Sequence, residues 1–228
     1  MSPREVAQGV WAVTAGAFPS NSYICAADVE GGAVLVDVGL DPEPIDRAAE
    51  SLGLRPSRVF CTHGHFDHLG SASYFQKKYG APVHLHRSDF PTARTNNFLL
   101  MAMKLPARVE LPKLEAVEDG ATFELGATTL SYRHSPGHTP GSCAIAFGGS
   151  LFTGDTLYAR GVGLSKLPGE DPERLRESIL ALWDDLDRYT VHPGHGPSAP
   201  GSLVKSGNAP LREFLGLAPR EQSLSAHG

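Results

Sequence analysis

Residues 63–68 read His-Gly-His-Phe-Asp-His, which places three imidazoles and one carboxylate within six residues. Imidazole nitrogens and carboxylate oxygens are ligands that zinc, iron and manganese accept in proteins. In an extended segment or a tight loop, the alternating His63 and His65 can point the same way, and Asp67 and His68 follow toward a neighbouring position. Four ligands packed this closely favour two adjacent metal positions over one closed structural site.

Three later segments supply further candidate ligands, each in a turn that follows a predicted strand. They read Ser-Pro-Gly-His-Thr-Pro-Gly-Ser at 135–142, Thr-Gly-Asp-Thr at 153–156 and His-Pro-Gly-His-Gly-Pro at 192–197. Glycine lets the backbone bend sharply in such turns, and the loops at a sheet edge are where a rigid scaffold presents functional side chains. We therefore take His138, Asp155 and His195 as the candidates in these three turns.

The other histidines lack this setting. The chain has ten histidines, of which five are the candidate ligands His63, His65, His68, His138 and His195. We interpret the remaining five as strand or tail residues: His84, His86, His134, His192 and His227. His192 tests this interpretation most directly, because it shares a turn with His195.

Composition narrows the class of protein. The 228 residues show no composition shift or linker, so we expect a single domain over residues 1–228. The net charge of −5 gives no electrostatic case for nucleic acid. No apolar run reaches membrane-spanning length, and the N-terminus lacks the apolar core of a signal peptide, so we expect a cytoplasmic protein without a membrane partner. The chain has an odd number of cysteines, and all three lie in apolar stretches: Cys25, Cys61 and Cys143. We therefore expect buried free thiols.

Residue patterns predict strands interrupted by a few helices. Stretches rich in β-branched and aromatic residues predict strands at 10–14, 22–27, 33–38, 58–62, 82–86, 114–117, 122–125, 128–134, 142–147, 150–153 and 189–192. Apolar spacing and caps predict helices at 43–52, 68–79 and 172–187, the last with Asp171 as N-cap before Pro172. Strands in two halves with helices outside them predict an α+β fold of two sheets packed face to face.

The motif at 63–68, followed by His138, Asp155 and His195 in that order and spacing, resembles the metallo-β-lactamase fold superfamily. Asp37, in the stretch Val-Asp-Val-Gly, also matches the Asp-x-Gly element that this superfamily has after an early strand. The resemblance implies an αββα sandwich of two mixed β-sheets flanked by helices, with metals at one edge between the sheets.

Carried over residue by residue, the resemblance implies a binuclear metal site. The first metal would be held by His63, His65 and His138. The second would be held by Asp67, His68 and His195. Asp155 would bridge the two ions, which we expect to be divalent zinc, with iron or manganese as alternatives. Asp37 would orient one of the ligands, although it suits a cap on a strand-end turn equally well.

The segment 153–169 is most similar to that of glyoxalase II-like hydrolases. This similarity implies a thioesterase-like hydrolase in which a hydroxide shared by two metals attacks a thioester or related small acyl substrate, with Asp67 and Asp155 as the catalytic carboxylates. Three alternatives stay open. One is a lactonase or other esterase with the same metals, and one is a metal-bearing protein with a binding, redox or structural role. The third is a mononuclear iron persulfide dioxygenase that uses His63, His138 and Asp155.

Two features depart from glyoxalase II. The family commonly has Gly-Arg-x-Asp where this chain has Gly-Leu-Ser-Lys at 163–166, and the sizeable C-terminal helical domain that holds glutathione is not matched. The resemblance therefore does not imply that this protein recognises glutathione. Tyr158 and Lys166 are candidate substrate contacts, as are Met101 and Met103 in an apolar stretch that would equally suit a core helix. The sequence allows a monomer or a homodimer.

Overall fold

The structure is a computed structural model that describes residues 3–16, 18–165 and 167–217. Within these ranges, the strands form two mixed sheets that pack face to face. Helices cover the outer face of each sheet. The α+β sandwich predicted from the sequence is therefore confirmed.

The first sheet has seven strands that lie side by side in chain order. They are β1 (Arg4–Ala7), β2 (Val10–Ala15), β3 (Ser20–Ala26), β4 (Gly32–Val36), β5 (Arg55–Phe60), β6 (Val83–His86) and β7 (Leu114–Val117). Neighbours from β1 to β4 pair antiparallel, and neighbours from β4 to β7 pair parallel. The carboxyl ends of β4, β5 and β6 therefore meet at one edge, where the loop that carries the 63–68 motif begins.

The second sheet has six strands, again side by side in chain order. They are β8 (Thr122–Leu125), β9 (Thr128–His134), β10 (Cys143–Phe147), β11 (Ser150–Gly154), β12 (Thr190–Pro193) and β13 (Ala199–Pro200). All neighbours pair antiparallel except β11 and β12, which are parallel. A parallel pair needs a long crossover, and the helix between these two strands supplies it.

Seven α-helices lie within the described ranges. They are α1 (Pro42–Ser51), α2 (Phe66–Leu69), α3 (Ala72–Tyr79), α4 (Phe90–Ala102), α5 (Pro172–Trp183), α6 (Gly201–Gly207) and α7 (Ala209–Phe214). The side chain of Asp171 caps α5 by accepting from the backbone N–H groups of Glu173 and Arg174, as its position before Pro172 predicts. None of the described helices is long and apolar enough to span a bilayer.

Two predicted helices differ in the structure. The expected helix at 68–79 is divided into α2 and α3, because Val38 donates to the carbonyl of His68 and accepts from Ser71 in place of the bonds of a continuous helix. The expected helix at 172–187 ends at Trp183, and the chain continues through a 3₁₀ helix, Leu186–Arg188, that buries Leu186 against the second sheet. In both cases, a tertiary contact outweighs local helical propensity.

Other elements were not predicted at all: β1, β13, α6 and α7. Strand β13 has two residues, one of them proline, and α6 begins at a glycine, so neither has a usable local signal.

Helix α4 resolves the ambiguity about the apolar stretch around residue 100. It packs Leu100 into the core and leaves Phe98 and Met101 exposed.

The core consists of three layers of apolar side chains. The middle layer lies between the sheets and includes Tyr23, Phe60, Tyr132 and Phe152. The outer layers lie between α1, α3 and the first sheet, and between α5 and the second sheet. The three cysteines are buried free thiols, as expected. Each buried Phe-sized side chain contributes about 1.5–3 kcal/mol, so these layers hold the strand ends rigidly beneath the loops.

Candidate metal centre

Loops from both sheets converge at one edge of the sandwich, and they bring together all of the ligands predicted from the sequence. Strand β5 leads into the motif, and β9, β11 and β12 lead into the turns that follow them. The side chains fall into two groups whose ligand atoms lie within 4.8 Å of one another: His63, His65 and His138 in the first, and Asp67, His68, Asp155 and His195 in the second. We call the first group position one and the second group position two.

Position one consists of three buried imidazoles. The Nδ1 atom of His65 lies 3.0 Å from the Nε2 atom of His138. The Nε2 atom of His63 is buried without a hydrogen-bond partner in the described part of the chain. Around a tetrahedral zinc with ligands at about 2.0–2.1 Å, neighbouring ligand atoms lie roughly 3.3 Å apart. The donor set and spacing of position one therefore fit a divalent cation.

Position two combines carboxylates with imidazoles. The Nε2 atom of His68 lies 3.4 Å from Asp67 Oδ2 and 3.4 Å from Asp155 Oδ1. The Nε2 atom of His195 lies 3.1 Å from the same oxygen of Asp67. Mixed nitrogen and oxygen ligands at this spacing suit zinc, iron or manganese.

Asp155 lies between the two positions. Its Oδ2 atom is 3.6 Å from Nε2 of His138 and 3.5 Å from Nε2 of His195. Its Oδ1 atom is 3.4 Å from Nε2 of His68 and has no hydrogen-bond partner among the described residues. One carboxylate thus faces ligands of both positions, which is the geometry that a bridging ligand requires.

Two imidazoles of position one, those of His63 and His65, remain neutral at physiological pH. Burial, followed by the neighbouring imidazoles, holds the pKa of His63 well below its ordinary value. Burial and the nearby His138 lower the pKa of His65 to about 4. Neutral imidazole is the form that binds metal, so these two ligands need not lose a proton first.

Position two carries charge. Burial disfavours the cationic form of His68, but Asp67 and Asp155 outweigh it and raise the pKa of that imidazole well above its ordinary value. Hydrogen bonds to the same carboxylates outweigh burial at His195 and raise its pKa to about 10. Burial also opposes ionisation of Asp67 and Asp155, yet His68 holds the pKa of both carboxyl groups below their ordinary range. A divalent cation would replace the protons that balance these carboxylates.

Asp37 fixes the orientation of ligands in both positions. It follows β4 in a left-handed conformation (φ 54°) and is 1% exposed. Its carboxylate accepts from Nδ1 of His68 at 2.9 Å and from the Thr62 hydroxyl at 2.8 Å. The Thr62 oxygen in turn lies 3.1 Å from Nδ1 of His63. These bonds direct the Nε2 atoms of both histidines into the centre. Asp37 also accepts from the Thr62 backbone N–H at 2.7 Å, so it caps the turn as well.

Two polar residues that support the centre were not identified from the sequence. The Asn21 side chain donates to the carbonyls of Pro193 and Gly196 at 3.0 and 2.8 Å, and so holds the turn that carries His195. Asp89 accepts from backbone N–H groups on both sides of position one. Each follows or interrupts an apolar stretch, which was the available signal, but the sequence does not reveal which polar side chains turn inward.

A cleft of about 270 Å³ opens over both positions. Besides ligands, the residues that line it are Phe18, Pro19, Phe66, Met103, Tyr158, Ser165 and Leu167. Met103 and Tyr158 therefore lie where the sequence predicts substrate contacts. Met101 is 68% exposed and is not among the lining residues. Lys166 lies outside the described residues.

Replacing His192 with alanine should leave the metal content near that of the wild type. Its Nδ1 and Nε2 atoms lie 2.8 Å and 3.0 Å from the hydroxyls of Ser198 and Ser150, so neither nitrogen faces the centre. Loss of this buried ring should instead lower the free energy of unfolding by about 2–4 kcal/mol. Elemental analysis and thermal unfolding measure the two effects separately. A large loss of metal would contradict the choice of His195 as the ligand of this turn.

Comparison with known proteins identifies the family to which this chain belongs. The profile described as "Metallo-beta-lactamase superfamily" matches residues 15–195. A protein described as hydroxyacylglutathione hydrolase from Anaeromyxobacter dehalogenans (strain 2CP-C) is 38% identical over 180 residues, which cover 78% of this chain and 62% of that protein. The chain thus matches less than two thirds of the length of this relative.

Solved structures with the same fold include proteins of different kinds. TTHA1623, whose crystal structure is of a di-iron-bound form, is similar with a TM-score of 0.78 and 33% identity, over 87% of this chain and 98% of that one. The BLEG-1 B3 metallo-beta-lactamase is similar with a TM-score of 0.77 and 26% identity, over 89% of this chain and 99% of that one. The resemblance stated from the motif is therefore confirmed at the level of family and fold.

Proposed function

The chain belongs to the metallo-beta-lactamase superfamily, and from that premise we propose that it is a binuclear metal-dependent hydrolase that cleaves a thioester or a related acyl substrate. The observation that carries this proposal is the meeting of positions one and two at Asp155, on the floor of an open cleft. A structural metal site would be closed by its ligands, whereas a catalytic site keeps room for water and substrate.

The donor set supports two divalent cations, with zinc proposed first and iron or manganese as alternatives. When bound, such ions supply a water of lowered pKa, near 7, and a Lewis acid for a carbonyl oxygen. The protein residues supply position and charge. Asp155 holds the two positions together, and Asp67, His68 and His195 complete position two with a carboxylate and two imidazoles. The presence of this second group favours a binuclear hydrolase over the mononuclear dioxygenase.

The cleft supports an acyl substrate. Phe18, Phe66, Met103 and Leu167 give it apolar walls beside the ligands. Such walls exclude water and suit the hydrocarbon part of an acyl group. A thiol has a pKa of about 8.5, so a thiolate departs near neutral pH without full protonation by a side chain. These features together favour a thioester.

A lactone or simple ester is the second candidate, and Tyr158 favours it. An alkoxide leaving group is far more basic than a thiolate and benefits from a proton donor. Burial, followed by the Asp155 charge, raises the pKa of the Tyr158 phenol, so this hydroxyl stays protonated at neutral pH. Its ring meets that of His195 edge to face at 6.2 Å, which places the phenol at the wall of the cleft.

Replacing Tyr158 with phenylalanine should reduce kcat/KM about 10-fold, equivalent to roughly 1.4 kcal/mol, with unchanged metal content. The substitution deletes one hydroxyl and keeps the ring that packs beside His195. Steady-state kinetics on paired thioester and oxygen-ester substrates measure the loss for each leaving group. A loss confined to the oxygen ester favours the second candidate, and equal activity of the variant and the wild type on both contradicts a substrate contact.

The proposal is tested by turnover of a substrate panel. Metal-loaded protein is assayed with acyl thioesters of glutathione and of simpler thiols, with aryl esters and with lactones, each with a chelated sample as control. The proposal predicts that the best thioester exceeds the others in kcat/KM and that chelation abolishes its hydrolysis. Lack of turnover on every activated acyl substrate, despite a full metal complement, would contradict it and favour a binding, redox or structural role.

A further inference from the structure

Asp89 ends a short 3₁₀ helix, Arg87–Asp89, that follows β6, and it is fully buried between the two loops that carry the histidines of position one. Its Oδ2 atom accepts from the Gly64 backbone N–H at 2.6 Å and from the Thr139 hydroxyl at 2.8 Å. Its Oδ1 atom accepts from the Gly141 backbone N–H at 2.8 Å and from the Thr92 hydroxyl at 3.2 Å. One carboxylate therefore binds the loop of His63 and His65 through Gly64, and the loop of His138 through Thr139 and Gly141.

We propose that Asp89 is a positioning residue that sets the spacing of the three histidines of position one and thereby the affinity of that position for its metal. The inference rests on the proposed role of those histidines as ligands. It assigns to Asp89 a function that none of the predicted site residues has, because Asp89 acts through the loops and does not contact the metal.

The packing around Asp89 supports this role independently of its hydrogen bonds. A Cβ atom on Gly64 would lie 2.8 Å from the carbonyl oxygen of Asp89 and 3.1 Å from the backbone nitrogen of Ala93. A Cβ atom on Gly141 would lie 2.6 Å from the backbone nitrogen and 2.7 Å from the Cβ atom of Asp89. Both loops therefore pack against Asp89 without room for a side chain, which explains the glycine in each loop.

The hydrogen bonds at residue 89 require a carboxylate and would not be satisfied by an amide. Both oxygens of Asp89 face only N–H and O–H donors. The amide of an asparagine would present an NH₂ group to one pair of these donors, although its size is nearly the same. In either orientation, the backbone N–H of one ligand loop, that of Gly64 or that of Gly141, would lose its acceptor and remain buried and unpaired, which is costly.

Position one depends on the contact between these loops. The Nδ1 atom of His65 is 3.0 Å from the Nε2 atom of His138, across the loop boundary. A backbone bond of 2.8 Å from Cys143 N to Thr62 O joins the strands beneath. Asp89 adds a further connection between the two loops, beside the histidines themselves. Position two is held by other residues, since Asp37 fixes His68, so a defect at Asp89 should be confined to position one.

The test is a competitive zinc titration of metal-depleted protein against a chromophoric chelator, with elemental analysis of the loaded protein. Asp89→Asn should weaken one of the two zinc sites by about 10–100-fold and leave the other at wild-type affinity. Asp46→Asn is the matched control. Asp46 is also a buried aspartate that accepts several hydrogen bonds, but from Tyr74, Lys78 and Tyr79 on α3. The Asp46→Asn variant should bind two zinc ions with wild-type affinity.

A double variant identifies the affected position. His195→Ala removes a ligand of position two, so it should retain one zinc ion. Asp89→Asn combined with His195→Ala should retain none at concentrations that fill the single variants. A double variant that still binds one ion would show that Asp89 does not act at position one, and would overturn the inference.

A second pair of variants decides the question if Asp89→Asn does not fold. Thr139→Val and Thr92→Val each remove one hydroxyl that donates to Asp89, but only Thr139 lies in a loop that carries a ligand. The inference predicts weaker zinc binding for Thr139→Val and wild-type binding for Thr92→Val. Equal zinc affinities of Thr139→Val and Thr92→Val would overturn the inference. Wild-type zinc affinity at both positions of a folded Asp89→Asn variant would also overturn it, as would an equal loss of zinc affinity in Asp46→Asn. Failure of the wild type to bind two zinc ions would instead contradict the proposed function.

Discussion

Replacing Asp155 with alanine should remove most of the bound metal and lower the rate of hydrolysis by about 10³-fold or more. Asp155 is the carboxylate that faces both positions, at 3.4–3.6 Å from His68, His138 and His195. Its removal deletes a ligand of each position at once and leaves the imidazoles of position two with one carboxylate fewer.

Elemental analysis and activity measured on the same preparation test this prediction. Asp187→Ala is a suitable control, because Asp187 is a half-exposed surface aspartate that forms an ion pair with Lys205 away from the centre. We expect the control to retain metal and activity. Retention of both metals by Asp155→Ala would contradict the bridging assignment. Retention of one metal would show that this residue belongs to a single position.

Replacing Asp37 with asparagine should weaken metal binding by about 10–100-fold and lower the free energy of unfolding of the metal-free protein by about 1–3 kcal/mol. Asparagine tolerates the left-handed conformation of this residue (φ 54°), so the backbone should be kept. The carboxylate accepts three hydrogen bonds, from the backbone and hydroxyl of Thr62 and from Nδ1 of His68. An amide cannot accept all three on the same two atoms, because one of them becomes a donor.

The consequence reaches the ligands of both positions. If the amide turns its NH₂ group toward His68, the proton of this imidazole moves to Nε2, the atom that faces Asp67 and Asp155. The Thr62 hydroxyl donates to the same Oδ2 atom, so it then also loses the orientation that lets it accept from His63. If the NH₂ group instead takes the place of Oδ1, the backbone N–H of Thr62 loses its acceptor. Zinc titration and chemical denaturation of the metal-free protein measure the two effects.

Thr62→Val is the matched variant for Asp37→Asn. It removes the hydroxyl and keeps the bond from His68 to Asp37, so it should weaken zinc binding less than Asp37→Asn does. Wild-type zinc affinity in Asp37→Asn would contradict the orienting role and leave Asp37 as a turn cap only.

The candidate metal ligands could be selected from the sequence because their signal is local. The motif at 63–68 combines ligand residue types with short spacing, and His138, Asp155 and His195 stand in glycine-containing turns after strands. The structure places these turns at one edge because β9, β11 and β12 run in the same direction in the second sheet, so their carboxyl ends lie together, beside the end of β5 in the first sheet. Residue type and turn context were therefore sufficient to select the candidates, and the strand order seen in the structure brings them together.

The supporting residues could not be predicted, because their signal is tertiary. Asn21 lies within β3 and Asp89 follows β6, and only the fold shows that their polar side chains turn inward to the ligand loops. The division of α2 from α3 has the same cause, since Val38 takes the backbone bonds of a distant segment. Periodicity along the chain contains no information about such contacts.

The residues that line the cleft were partly accessible to sequence reasoning. Tyr158 follows a ligand by three residues, so its place in the cleft follows from the short turn. Met101 and Met103 could not be told apart, because their exposure depends on where α4 ends. The helix ends at Ala102, and the chain then turns Met103 toward the cleft while Met101 remains exposed.

The central claim is that this chain holds two metals at neighbouring positions that share Asp155. Elemental mass spectrometry on protein purified without added metal tests it most directly, with the protein concentration determined independently. The account predicts close to two equivalents of zinc, iron or manganese per chain, and a loss of most of them in Asp155→Ala. Close to one equivalent of iron, together with oxygen consumption on a persulfide, would contradict the binuclear hydrolase and assign the centre to the dioxygenase.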